Sequence, residues 1–90
     1  MNLSKARISK HALRRFRERW YRRFHRNVQT PRMLLRKYLS SAKEVKHPEE
    51  WIDTREEKLF FSNGWFFIVD SDLTTIITIL CLDLMKKKRK

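Results

Sequence analysis

The sequence predicts an α+β fold, with two N-terminal helices packed on a three- to four-stranded antiparallel sheet. Apolar residues recur at helical spacing up to about residue 41, and from residue 58 onward aromatic and β-branched residues dominate. In the second half Asn63-Gly64 separates two apolar runs, and this dipeptide is the strongest short signal for a β-hairpin. We therefore expect one compact domain over residues 1–85, followed by a basic tail over residues 86–90.

The first helix is expected over residues 9–26, with Ser9 as its N-cap. Apolar residues separated by three, four and four positions form one stripe that we expect to be buried: Leu13, Phe16, Trp20 and Phe24. A second arc, ~80° wide and centred ~145° from the first, carries a histidine and four arginines that we expect to face outward. Its members are His11, Arg15, Arg19, Arg22 and Arg26.

Thr30-Pro31 predicts the start of a second helix over residues 30–41, because threonine caps helices and proline favours their first turn. Its expected inward side chains are Met33, Leu34, Tyr38 and Leu39. Strands are expected over residues 58–62, 65–69 and 74–82, with a further short strand near residues 51–53. A two-residue turn would pair Ser62 with Trp65, Phe61 with Phe66, and Phe60 with Phe67. The sheet should add Leu59, Ile68, Ile77 and Ile79 to the core.

The formal net charge of +12 is unevenly distributed along the chain. Residues 1–40 carry thirteen Lys and Arg against one acid, residues 41–85 carry four against nine, and the last five residues are all basic. Because such a basic segment repels itself, the pattern favours a polyanionic partner, and phosphate is the usual one. The expected nucleic-acid contacts are Arg14, Arg22, Arg26, Arg32, Arg36, Lys37, Lys86, Lys87, Lys88, Arg89 and Lys90. A solvated charged surface is the alternative.

The sequence lacks the residues that a disulfide, a zinc site or a nucleotide-binding loop requires. The single cysteine, Cys81, excludes an internal disulfide, and no Cys/His cluster has the spacing of a zinc site. No glycine-rich loop is present to hold a nucleotide, so we expect neither a metal nor a cofactor. The apolar runs are too short for a signal peptide or for a bilayer span of about 20 residues. We expect a cytoplasmic protein that does not contact membranes.

His11 and Arg15 stand four residues apart, with Arg19 one turn further along the same helix face. A neutral imidazole could accept the proton of an RNA 2′-hydroxyl, while the guanidinium groups stabilise the charge that develops on phosphorus. The same three side chains could equally hold a phosphate without turnover. Their spacing alone leaves both interpretations open.

The run Ile8-Ser9-Lys10-His11-Ala12-Leu13-Arg14-Arg15, continuing to Arg19, resembles the S/T-K-H-A-x-x-R-x-x-x-R opening of small domains related to RelE-type toxins. Those domains belong to the barnase/EndoU/colicin/RelE-like ribonucleases, and Ile76-Ile77-Thr78-Ile79-Leu80 is similar to their closing strand. The resemblance implies that His11, Arg15, Arg19 and Thr78 converge as a catalytic set on the open face of the sheet.

A protein of that kind would be a metal-independent ribonuclease or toxin that acts on RNA or ribosomes, with an acidic, antitoxin-like protein as a further partner. Two alternatives stay open. One is a non-catalytic adaptor that binds nucleic acid or ribosomes. The other is a protein–protein interaction module, in which the acidic middle of one copy docks on the basic helix of another.

Overall fold

The protein is described by a computed structural model over Leu3, residues 5–47 and residues 57–81. Its helices are α1 (Lys10–Phe24) and α2 (Pro31–Ser40). Its strands are β1 (Arg7–Ile8), β2 (Lys43–Glu44), β3 (Lys58–Ser62), β4 (Trp65–Val69) and β5 (Thr75–Cys81). They form one five-stranded sheet in the order β1-β5-β4-β3-β2. The predicted α+β class is confirmed.

The predicted sheet of three or four antiparallel strands was wrong in two respects. The sheet has five strands, and β1 runs parallel to β5 while the other neighbours are antiparallel. Sequence periodicity missed β1 and β2 because a two-residue strand cannot show alternation. The strand expected near residues 51–53 and the tail at residues 86–90 lie outside the described residues.

The start of α1 is fixed directly to β5. Ser9 is the predicted N-cap: its Oγ accepts a hydrogen bond from the Ala12 amide at 3.0 Å. The same hydroxyl donates to the Ile77 carbonyl at 3.2 Å, and the Ser9 amide donates to the Ile76 carbonyl at 3.3 Å. One serine therefore ends the first strand, begins the helix and joins both to the last strand.

The β3–β4 hairpin has the predicted register. Ser62 pairs with Trp65, Phe61 with Phe66, and Phe60 with Phe67. Asn63 and Gly64 both have positive φ, at 53° and 85°, as a two-residue hairpin turn requires.

The helices cover one face of the sheet. Phe16 of α1 packs edge-on against Trp65 of β4, with 4.9 Å between ring centroids. Trp65 is paired with Cys81, and Phe67 with Ile79, so these four residues share the helix-covered face. The intervening pairs, Phe66 with Leu80 and Ile68 with Thr78, lie on the opposite face.

The buried face of α1 differs from the predicted stripe. Ala12 and Phe16 are fully buried, Leu13 and Trp20 are partly buried, and Phe24 is 40% exposed. The burial is shifted toward Ala12, whose small side chain allows the helix axis to approach β5 closely. The predicted stripe contained only large apolar side chains, and for this reason it did not include Ala12.

Two further core predictions need correction. In α2 the fully buried residues are Leu35 and Leu39, whereas Met33, which we expected to point inward, is 72% exposed. Ile77 is 36% exposed because the register between β4 and β5 shifts beside it: Ile68 pairs with Thr78, but Val69 pairs with Ile76. Leu59 and Ile79 are fully buried, as predicted.

Candidate nucleic-acid interface

Positive charge is concentrated on α1. The helix holds seven Lys and Arg side chains and a single acid, Glu18. Most of them surround a groove of about 770 Å³ along the helix, which we call the α1 groove. The groove is lined by Lys10, Leu13, Arg14, Arg17, Glu18, Tyr21, Arg22, His25 and Asn27.

Glu18 offsets one unit of this charge, and its carboxylate is shared between two arginines. Its Oε1 accepts from Arg14 Nε and its Oε2 from Arg15 Nη1, both at 3.1 Å. The hydrogen bond from Arg14 and the charge of Arg15 hold the pKa of Glu18 below its ordinary value. The carboxylate thus stays ionised, and the pairs fix the two arginine stems on the helix surface.

Sequence analysis missed part of the groove, although a signal for it was present. Lys10, Arg14, Arg17 and Tyr21 follow each other at i, i+4, i+7 and i+11, so they form one line along the helix. Our helical arc was centred near Arg15 instead, and of this line only Arg14 was among the expected contacts. Tyr21 is 54% exposed in the middle of the cations.

The side chains of the predicted arc do not form one continuous surface. His11 is exposed in the first turn, Arg15 is held by Glu18, and Arg22 lines the groove. Arg26 departs from the arc because α1 ends at Phe24 and His25 takes a left-handed conformation at its C-cap.

Arg19, which we predicted to be an outward-facing catalytic residue, is half-buried against the sheet. Its Nε atom is buried and has no hydrogen-bond partner among the described residues. Burial, and then the charge of Arg15, lowers the pKa of Arg19. Arg23 lies one turn further on and donates to Cys81 Sγ at 3.2 Å. These two arginines therefore contact the rim of the core at the end of β5.

The structure does not bring Thr78 to this surface. Thr78 pairs with Ile68 on the face of the sheet opposite to α1, whereas His11 is exposed on α1 itself. Thr78 is therefore on the other face of the sheet from the helix that carries His11, Arg15 and Arg19. Strand alternation decides this, since neighbouring residues of β5 point to opposite faces.

The remaining predicted contacts lie elsewhere. Arg32 and Lys37 are exposed on α2. Arg36 is used within the fold, because its Nη1 donates to the carbonyl of Ala6. The five basic residues of the tail, Lys86, Lys87, Lys88, Arg89 and Lys90, lie outside the described residues.

Within the part of the chain that the structure describes, no three His, Cys, Asp or Glu side chains are grouped as a metal site would require. Over the same residues, no helix has the length and apolar character needed to cross a bilayer. Comparison of the chain with protein-family models, curated proteins and solved structures found no match.

Proposed function

We propose that this protein binds RNA, with the phosphates of the RNA lying in the α1 groove. The observation that carries the proposal is the line of Lys10, Arg14, Arg17 and Tyr21 on the outer surface of one helix. These three cations and Arg22 surround a single concave surface, in which Glu18 is already neutralised by its arginine partners.

The charge arrangement supports a polyanion rather than a singly charged ligand. The cationic line of α1 extends over two helical turns from Lys10 to Arg17, a distance of ~10 Å at 1.5 Å per residue. Successive phosphates of a nucleic acid strand can occupy such a line, and each contact releases condensed counterions.

Tyr21 favours RNA with unpaired bases over a duplex. Its ring is more than half exposed between Arg17 and Arg22 in the groove. Proteins that bind single-stranded nucleic acid combine a basic groove with aromatic rings on which bases stack. A double helix keeps its bases stacked on one another and would leave Tyr21 unused.

We propose binding of RNA and not its cleavage. The RelE-like interpretation of RNA cleavage needs His11 and Thr78 on one surface, whereas Thr78 lies on the face of the sheet opposite to α1, the helix that carries His11. Cleavage of total RNA in the presence of EDTA, lost in His11→Ala, would contradict this restriction. His11→Ala should leave RNA affinity nearly unchanged, because one imidazole adds little among so many cations.

The test is the salt dependence of RNA affinity, measured by fluorescence anisotropy with a labelled single strand. The triple variant Arg14→Gln, Arg17→Gln and Arg22→Gln should have a shallower plot of log K against log salt. The magnitude of its slope should fall by about two, because each phosphate contact on a single strand contributes about 0.7. The matched control removes the same charge at exposed lysines outside the groove: Lys5→Gln, Lys43→Gln and Lys46→Gln. The control should keep nearly the parental slope.

Three results would contradict the proposal. Equal slopes for the groove variant and the control would mean that binding depends on total charge and not on the groove. Self-association that weakens with salt, without affinity for nucleic acid, would favour the interaction-module interpretation instead. A parental protein that prefers duplex DNA over single-stranded RNA would keep the groove but change its ligand.

A further inference from the structure

A second, smaller cavity adjoins the groove where α1 ends. It has a volume of about 220 Å³ and is lined by Trp20, Arg26, Asn27 and Gln29, and we call it the loop cavity. Asn27 also lines the α1 groove, so the two concave surfaces lie on either side of this residue or share it as a border. The cavity is much larger than the space that a single ordered water needs.

Trp20 contributes its aromatic ring to the lining of this cavity. Its indole Nε1 is buried and has no partner among the residues that the structure describes. A buried donor without an acceptor is costly and calls for an explanation, such as a ligand. The ring is held from two sides: Phe24 lies at 4.4 Å, and Trp65 stacks on it in parallel at 6.2 Å between centroids.

The other lining groups match the edge of a nucleobase. Arg26 donates through a planar fork, while the amides of Asn27 and Gln29 can both donate and accept. Arginine is the commonest partner of the adjacent O6 and N7 acceptors of guanine, and asparagine and glutamine also read base edges. These three side chains carry more donors than acceptors.

From this geometry we infer that the loop cavity holds one unpaired base of the bound RNA, with guanine as the base whose edge fits best. This inference rests on the proposed function, because the strand that delivers the base lies in the α1 groove and reaches the cavity at Asn27. It identifies the ligand as a single strand or a loop, since a duplex does not offer an unstacked base.

The test compares two strands at one salt concentration: a short oligouridine and the same strand with one central guanosine. The parental protein should bind the guanosine strand about tenfold more tightly, and annealing that strand to its complement should remove the preference. Arg26→Lys keeps the charge but loses the planar fork, and Gln29→Ala removes an amide. Each should reduce the preference without changing the salt slope, whereas Arg7→Lys on β1 should leave both unchanged.

A direct readout comes from the indole N–H resonance of Trp20 in the parental protein, identified by its absence in Trp20→Phe. Addition of the guanosine strand should shift this resonance more than oligouridine does. An unmoved resonance, or equal affinity for both strands together with a steep salt dependence, would overturn the inference and leave the α1 groove intact. Absence of RNA affinity altogether would instead refute the proposed function.

Discussion

Asp70, at the end of β4, organises the turn into β5 through its carboxylate. Its Oδ1 accepts from the amides of Thr74 and Thr75 at 2.8 and 3.0 Å, and its Oδ2 accepts from Thr74 Oγ1 at 2.6 Å. The hydrogen bonds from Thr74 and Thr75 hold the pKa of Asp70 below its ordinary value. These bonds also allow Leu73, in the same turn, to adopt a positive φ of 61°.

The lowered pKa predicts how the stability of the fold depends on pH. A carboxylate with a depressed native pKa contributes fully above its unfolded pKa of about 3.9, and the contribution is lost as pH falls through the native value. Asp70→Asn should therefore lower the free energy of unfolding at neutral pH, and its difference from the parent should shrink in acid. Urea titrations across that pH range measure this.

Asp72→Asn is the matched control, because it removes the same charge from an exposed position in the same turn. It should track the parental protein across the range. A constant difference between Asp70→Asn and the parent from neutral to strongly acidic pH would show that the carboxylate charge is not what stabilises the turn.

Among the elements, the β3–β4 hairpin depends most on a single backbone conformation. Gly64 has a φ of +85°, a backbone conformation that residues with a Cβ atom rarely adopt. A Cβ at this position would also lie 3.2 Å from Arg23 Nη1. Arg23 in turn bonds to Cys81 and lies over the ring of Phe24 at 5.3 Å. The turn, the end of α1 and the end of β5 therefore meet at one point.

Gly64→Ala should destabilise the fold by about 1–2 kcal/mol, because alanine is strained at this φ and the guanidinium of Arg23 must move. Thermal or urea unfolding measures the loss. Asn63→Gly, at the other turn position with positive φ, should cost less because glycine accepts that conformation. Equal losses for the two variants would mean that the turn conformation is not the limiting factor.

On the scale of the whole molecule, the same helix packs the core and carries the proposed RNA interface. The inner side of α1 holds Ala12 and Phe16 at full burial, while its outer side holds the groove. A ligand on the outer side must therefore stabilise the entire fold, because the helix that binds it is intact only in the native state.

We expect single-stranded RNA to raise the melting temperature of the protein at low salt. At a free RNA concentration of about 100 times Kd, the stabilisation should be about 2.7 kcal/mol. The increase should fade as salt weakens phosphate contacts, and it should be smaller in the variant that lacks Arg14, Arg17 and Arg22. Scanning calorimetry with and without RNA measures it. A melting temperature unaffected by RNA at low salt would contradict binding to the native α1.

Local chemistry allowed the sequence to determine most of the fold. The cap at Ser9, the start of α2 at Pro31, the turn at Asn63-Gly64 and the register of β3 against β4 each depend on one or two residues and their neighbours. The concentration of charge on the first helix was likewise visible, because charge adds along the chain. The line from Lys10 to Tyr21 could also have been predicted from the sequence, by grouping the helix residues at i, i+4, i+7 and i+11 from Lys10.

Only the tertiary structure decided which side of each helix and strand faces the core and which side faces outward. Ala12 is fully buried where α1 packs on the sheet, and this burial cannot be read from a helix in isolation. The parallel pairing of β1 with β5 joins residues that are distant in sequence. The register of β4 against β5 places Thr78 on the face opposite to α1, the helix that carries His11. The sequence could list the basic and catalytic candidates, but only the packing of helix on sheet could say which of them share a surface.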